Sequence, residues 1–290
     1  MKFGLHYSLG VGTNPTIDDY IRVAQQAEAL GYRTVWVGDH IVIPEQIVAP
    51  YPYTKDGSVG FARNCPWPDP FVLLAALGVA TKTILLGTSV IIVPYRNPLH
   101  VAKAVATVDL ASHGRYQFGV GIGWLKEEFD ALGEQFSERA ARTREYLQVM
   151  KAMWAGETAS FQGKYFSFPT LHTNPIPVQR PHPPIIFGGE SMPALKRIAD
   201  LGNGWQPGPI PVDVFRTKRD QLQTLMAERG RKMSELSISM IGGTRDLQQD
   251  RGKIAALEEL GVSEILLFMM GPTVEDTLKE MEEAARTLMR

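Results

Sequence analysis

The sequence predicts a parallel (β/α)8 TIM barrel formed by a single domain, on three observations. Short β-branched runs alternate with longer amphipathic runs along the whole chain. Eight of the short runs can be placed, near residues 3–8, 33–37, 84–92, 116–121, 184–188, 203–207, 236–241 and 263–269. Several are continuously apolar, such as Ile84-Leu85-Leu86 and Val90-Ile91-Ile92-Val93, as strands covered on both faces are. The length, 290 residues, suits one barrel with insertions.

The helices carry their own punctuation. Thr16 and Asp19 have capping-box spacing, and Gly31 stands where a helix ends in the left-handed region. Between them Ile17, Tyr20, Ile21, Ala24, Ala27 and Leu30 recur on one face. Asp69-Pro70 reads as the cap and first residue of the next helix. Ser137 is expected to open a long helix ending near Ala155-Gly156, and Thr273 with Asp276 to open the last one.

Two stretches exceed a minimal barrel, near 44–68 and 161–184. The first is proline-rich and carries Tyr51, Tyr53, Phe61 and Trp67. It leaves the second strand at its C-terminal end, where barrel active sites lie. In the second, Gln162-Gly163-Lys164-Tyr165 reads as a hairpin turn between Phe161 and Phe166. This insertion is expected over the same C-terminal face.

Composition excludes several functions. The chain has 30 basic and 31 acidic residues, a net charge of −1, so no electrostatic footprint for nucleic acid or an anionic membrane exists. The longest apolar run, Ile84 to Val93, is far short of the ~20 residues of a spanning helix. Cys65 is the one cysteine, so no intrachain disulfide can form; a cytoplasmic, reducing location is the expectation. His6, His100, His113, His172 and His182 show no metal-ligand spacing, and no metal is expected. No Walker A loop or G-x-S-x-G elbow is present. No lysine stands at a strand end, against a barrel aldolase.

Chemistry therefore falls to the strand ends. The second strand ends in Gly38-Asp39-His40, and His40 can donate, accept or carry a proton near neutral pH. Asp39 could fix its tautomer, contact a cofactor, or simply cap a backbone group. The fourth strand ends in Gly119-Val120-Gly121-Ile122-Gly123-Trp124, a glycine at every second position. Such a bare face admits a flat ring, or else serves tight packing. The fifth ends in Gly188-Gly189-Glu190-Ser191, with Ser191 as the cap of a helix whose free amides suit phosphate. An ordinary capped helix reads the same way.

Taken together these motifs resemble the luciferase-like monooxygenase superfamily, and closely its coenzyme F420-dependent oxidoreductase branch. The resemblance spans nearly the whole chain. It rests on Gly38-Asp39-His40, Tyr51-Pro52-Tyr53, Leu86-Gly87-Thr88-Ser89-Val90, Pro94-Tyr95-Arg96-Asn97-Pro98, Gly114-Arg115, Gly119 to Trp124, Glu127-Glu128-Phe129, Glu138-Arg139, Arg142-Thr143, Pro183-Pro184-Ile185 and Gly188-Gly189. It implies a non-prolyl cis peptide at Ser89–Val90 that presses on the middle ring of the cofactor, with Thr88 and Gly121 beside it. It implies that Asp39 contacts the ring and His40 exchanges a proton with the substrate, and that Gly188, Gly189, Glu190 and Ser191 form the phosphate loop. Tyr51, Tyr53, Phe61, Trp67 and Trp124 would then line a pocket for a small apolar or aromatic substrate. Trp124 stands where the sugar-phosphate dehydrogenases of the family carry a glutamate, which argues against sugar phosphates. The expected cofactor is coenzyme F420. The alternative is FMN, in a two-component monooxygenase fed by a partner flavin reductase, a reading that Glu190-Ser191 favours. A flavin-binding protein without catalysis is a further alternative. The resemblance also implies a homodimer.

Overall fold

Strands form where the β-branched runs lie, and the order of elements follows the expected alternation. The structure, a computed structural model, describes residues 1–7, 14–52, 54, 56–61, 64–269 and 271–289. In chain order β1 (Lys2–Tyr7) is followed by α1 (Ile17–Leu30), β2 (Thr34–Val37), α2 (Pro70–Ala80) and β3 (Leu85–Thr88). Next come a two-residue strand β4 (Ile91–Ile92), then α3 (Pro98–Ala111), β5 (Tyr116–Gly121), α4 (Lys126–Ala131) and α5 (Arg139–Trp154). A hairpin of β6 (Thr158–Gln162) and β7 (Ser167–His172) precedes β8 (Ile185–Gly188), α6 (Met192–Leu201), β9 (Gly204–Gln206) and α7 (Val212–Ala227). β10 (Ser237–Gly243), α8 (Thr244–Gln249), α9 (Gly252–Glu259), β11 (Glu264–Met269) and α10 (Val274–Leu288) follow.

The sheet runs β3-β2-β1-β11-β10-β9-β8-β5, and β5 pairs back onto β3 and β4, which closes the barrel. Every pairing within it is parallel; one register is Leu5↔Val35. All eight expected strands are present. The 84–92 run is not continuous: Ser89–Val90 is a cis peptide, and β3 and β4 are the two halves of one barrel strand. Thr16 caps α1 in a capping box with Asp19, and Gly31 adopts φ 85°. The Asp69 carboxylate accepts from the Phe71 and Val72 amides at the start of α2. Ser137 does not open α5; it lies in a 3-10 turn, and the helix starts at Arg139.

The second insertion is placed differently from the expectation. It follows a helix and precedes a strand, so it returns the chain to the N-terminal end of the barrel. The hairpin lies along α5, where the Glu145 carboxylate accepts from the Lys164, Tyr165 and Phe166 amides. Beyond it Gln179 donates to the Tyr116 carbonyl, at the first residue of β5, and to Asp109 near the end of α3. Of the two insertions, only the described residues of 44–68 lie over the C-terminal face. At the opposite end the buried Arg115 guanidinium donates to the carbonyls of Gly78, Thr81, Ile84 and Ser112, tying the ends of α2 and α3 to the sheet.

Inward-facing side chains fill the barrel in tiers. Trp36, Ile186 and Leu266 form the apolar middle, and Trp36 packs where a side chain on Gly87 would stand. Below them Trp36 Nε1 donates to Thr34 Oγ1 (2.7 Å), which donates to Glu264 Oε1 (2.7 Å). Glu264 is 4 % exposed, and burial pushes its carboxyl up from 4.5 to about 7. A carboxyl raised in the folded state contributes stability below its unfolded value and loses it as pH rises through the folded one. The shift corresponds to roughly 3 kcal/mol. Thermal melts are therefore expected to show stability falling between pH 4.5 and about 8 in the native chain, and Glu264→Gln to flatten that slope. An unchanged slope would assign the pH dependence elsewhere. Among the described residues no helix is long and apolar enough to cross a membrane, and no group of acidic, histidine or cysteine side chains could hold a metal.

Candidate active site at the C-terminal mouth of the barrel

Residues following β2, β3, β5 and β8 converge on one end of the barrel. Asp39 is the second residue after β2 and is 5 % exposed. Its carboxylate is bidentate to Arg96, at 2.7 and 2.8 Å, and accepts from the Ile92 amide at 2.9 Å. Both oxygens are thus engaged within the protein. The expectation that Asp39 orients His40 is corrected here: its carboxylate joins β2 to β4 and Arg96. Arg96 also lies 3.7 Å from Asp69, the cap of α2, and over the Phe71 ring.

His40 is oriented by a different carboxylate. Its Nδ1 lies 2.8 Å from Glu128 Oε2 on α4, and the Glu128 side chain is fully buried. The same oxygen accepts from the Tyr95 hydroxyl (3.0 Å), and Oε1 accepts from the Ile41 and Val42 amides. Three donors and the His40 ring nitrogen therefore converge on one carboxylate. His40 is packed by Phe61 (5.4 Å between centroids) and edge-on by Trp67 (4.8 Å), which also touch each other. Trp67 lies against the bare Gly38 backbone, where a Cβ would stand 2.6 Å from its ring. Tyr51 and Trp124 form a separate aromatic pair at 5.1 Å. Tyr53 lies outside the described residues.

The cis Ser89–Val90 peptide is seated by glycines. A Cβ on Gly119 would overlap the Thr88 carbonyl at 1.6 Å, one on Gly121 would meet Val90 Cγ2 at 2.5 Å, and one on Gly188 would approach Val90 at 3.2 Å. The bare strand face at Gly121 accommodates Val90 itself, which corrects the expectation that a ligand ring occupies it. Thr88 points away from the barrel axis: it is fully buried, its hydroxyl donates to the Gly119 carbonyl and it lies 3.3 Å from the Tyr116 hydroxyl. Ser89 does face the barrel axis. Its hydroxyl donates to Gln206 Oε1 (2.5 Å) and lies 3.1 Å from His6 Nε2. Burial lowers His6 to about 4, so the ring is neutral, and His6 Nδ1 is buried without a partner among the described residues. Phe268 stands beside His6 and is 38 % exposed at the mouth.

At the end of β8, Gly189 adopts φ 92° and Ser191 caps α6, accepting from the Ala194 amide. Glu190 turns away from this helix start toward the Gly208 amide at 3.5 Å, and burial raises its carboxyl. One and a half turns into α6, Arg197 is 9 % exposed and has no hydrogen-bond or ion-pair partner among the described residues. Burial and the neighbouring Arg144 and Arg139 lower its guanidinium. It lines a cleft of about 430 Å³ between α5 and α6 with Arg144, Glu145, Pro193 and Lys196, and Arg144 is itself paired to Asp200. A buried cation with no partner among the described residues, near the amides of a helix start, is a donor set for an anion. The mouth thus fits a planar, phosphate-bearing cofactor: apolar at Val90 and Phe268, cationic at α6.

Several of these groups carry no role in the sequence reading. Glu128, Tyr95 and Arg96 lie within motifs that the resemblance quoted, and an acidic pair in the first turn of a short helix after a strand end was the available signal for Glu128. His6 had another: it sits on the inward register of the first strand.

The fold and this mouth define an oxidoreductase of the flavin and deazaflavin type, and the comparisons name its family. The chain belongs to the luciferase-like monooxygenase family, whose model matches residues 1–266. It is 33 % identical over 285 residues, 98 % of this chain and 99 % of the other, to an uncharacterized protein of Mycobacterium tuberculosis strain H37Rv. Over 152 residues, 51 % of this chain and 41 % of the other, it is 32 % identical to the F420-dependent glucose-6-phosphate dehydrogenase of Amycolatopsis mediterranei. Over 184 residues, 62 % and 50 % of the two, it is 28 % identical to the FMNH2-dependent dimethylsulfone monooxygenase of Pseudomonas putida. The coenzyme F420 dependent tetrahydromethanopterin reductase from Methanopyrus kandleri shares the fold, with a TM-score of 0.75 at 17 % identity over 99 % of this chain and 98 % of that one.

Proposed function

We propose that the protein is a coenzyme F420-dependent oxidoreductase acting on a small apolar or aromatic organic substrate. The observation that carries this reading is His40: a ring held at Nδ1 by Glu128, caged by Phe61 and Trp67, with Nε2 unpartnered among the described residues. When bound, the deazaflavin supplies the hydride chemistry. The chain does the rest. The α6 amides, Ser191, Arg197 and Lys196 hold the phosphate-bearing end. Val90 and Phe268 present apolar surface to the ring. His40 takes or gives the coupled proton at Nε2. Phe61, Trp67, Tyr51 and Trp124 exclude water from the substrate.

A second reading is an FMNH2-dependent monooxygenase supplied by a partner reductase. Its support is the Glu190-Ser191 pair and the Pseudomonas putida relative. The test is a parallel fluorescence titration of apoprotein with coenzyme F420 and FMN, each oxidised and reduced. Tight binding of the deazaflavin alone is expected. Preferential binding of reduced FMN would overturn the first reading in favour of the second.

A further inference from the structure

The Glu128 carboxylate enters the proposed function only as an anchor for the His40 ring, yet among the described residues it is the most heavily engaged acidic group at the mouth. Its four partners are the Ile41 and Val42 amides on Oε1, and the Tyr95 hydroxyl and His40 Nδ1 on Oε2. Two of the four cannot be anything but donors, since backbone amides carry no acceptor on nitrogen. They fix Oε1 as an acceptor. Oε2 then has two claimants, a hydroxyl that can rotate and an imidazole that exists in two neutral tautomers. A fully buried carboxylate leaves no room for water to arbitrate between them.

We infer that Glu128 is the positioning residue that sets the tautomer of His40, holding the proton on Nδ1 and leaving the Nε2 lone pair toward the pocket. The tautomer of an imidazole is set by the bond its other nitrogen makes. With Nδ1–H committed to Glu128, the neutral ring is a proton acceptor at Nε2 and nowhere else. When Nε2 takes a proton from the substrate, the Nδ1–H remains on Glu128, and the resulting cation stands 2.8 Å from a carboxylate. One proton moves, and no second proton has to leave the site. Glu128 does not reach the substrate; it acts through the ring. The role in turnover rests on the oxidoreductase reading above, whereas the tautomer does not.

The substitution Glu128→Gln separates the two orientations by chemistry alone. The side chain keeps its size. Its oxygen is required by the Ile41 and Val42 amides, so its NH2 must occupy the position of Oε2. An NH2 there donates to Nδ1 and moves the ring proton to Nε2. The experiment is long-range 1H–15N NMR on protein labelled at its six histidines, with His40 assigned by its absence in His40→Asn. The native protein is expected to show neutral His40 protonated at Nδ1, and E128Q to show it at Nε2. Tyr95→Phe removes the rival hydroxyl and is expected to leave Nδ1 protonated. An Nε2-protonated ring in the native protein, or an unchanged tautomer in E128Q, overturns the inference, and the native spectrum decides even if E128Q does not fold. On whichever cofactor supports turnover, E128Q is expected to lower kcat by between about 10² and 10⁴-fold with cofactor affinity unchanged. A flipped tautomer with native kcat overturns the catalytic part. Failure of the deazaflavin reading itself would appear separately, as native protein that binds no F420 while its His40 spectrum is as stated.

Discussion

Replacing His40 by alanine is expected to lower turnover by roughly 10²–10⁴-fold while leaving cofactor affinity within about twofold of the native value. The asymmetry follows from position. His40 is 11 % exposed at its side chain and is walled by Phe61, Trp67 and Glu128, whereas the groups proposed to bind the anion lie on α6. Removing the ring deletes the proton acceptor and opens the aromatic cage, but it does not touch Ser191, Lys196 or Arg197. Steady-state rates and a fluorescence titration on the same preparation check both halves. Normal residual turnover with lost cofactor binding would reverse the assignment and make His40 a cofactor ligand.

The second large effect is on stability, at Arg96. The Asp39 side chain is fully buried, and Arg96 supplies two of the three donors its carboxylate accepts. Arg96→Leu would leave that charge in the protein with the Ile92 amide alone. Breaking a buried pair from one side costs about 3–5 kcal/mol, because the remaining charge loses its compensation. A fall of that size in unfolding free energy, read from denaturant midpoints, is the expected result. Adding Asp39→Asn should recover part of it, since the second substitution removes the stranded charge. A loss below about 1 kcal/mol in Arg96→Leu would mean that water or a rearranged partner reaches Asp39.

The barrel was legible because its signal is local. Each β-branched run and each cap, such as Thr16 with Asp19 or Asp69 before Pro70, declares its element within a few residues. The site was legible only as a set of strand ends. Asp39 and His40 are adjacent in the chain, and adjacency suggested that one serves the other. In the folded protein Asp39 turns to Arg96 and His40 turns to Glu128, 88 residues away, a pairing decided by the closing of the barrel. Alternating glycines announced a bare strand face but not what fills it. A backbone and a valine from the neighbouring strand do so, and no pattern within the glycine run specifies a neighbour. The second insertion was misplaced for a related reason: its composition resembles that of a mouth loop, whereas its end of the barrel is set by whether a helix or a strand precedes it.

The two acidic residues at the start of α4 grip the 41–49 segment twice, Glu128 at the amides of Ile41 and Val42 and Glu127 at those of Val48 and Ala49. Each grip is on main chain, and main chain is the same whatever residue carries it. Ile41, Val42 and Val48 are meanwhile 40, 44 and 86 % exposed at the mouth. Their side chains are therefore interchangeable parts mounted on a fixed rail. A lineage could exchange them, and with them the molecules admitted, without loosening the histidine that shares the same anchor. Diversification of substrate would then proceed by swapping surface residues in this short stretch, with the His40–Glu128 pair inherited intact.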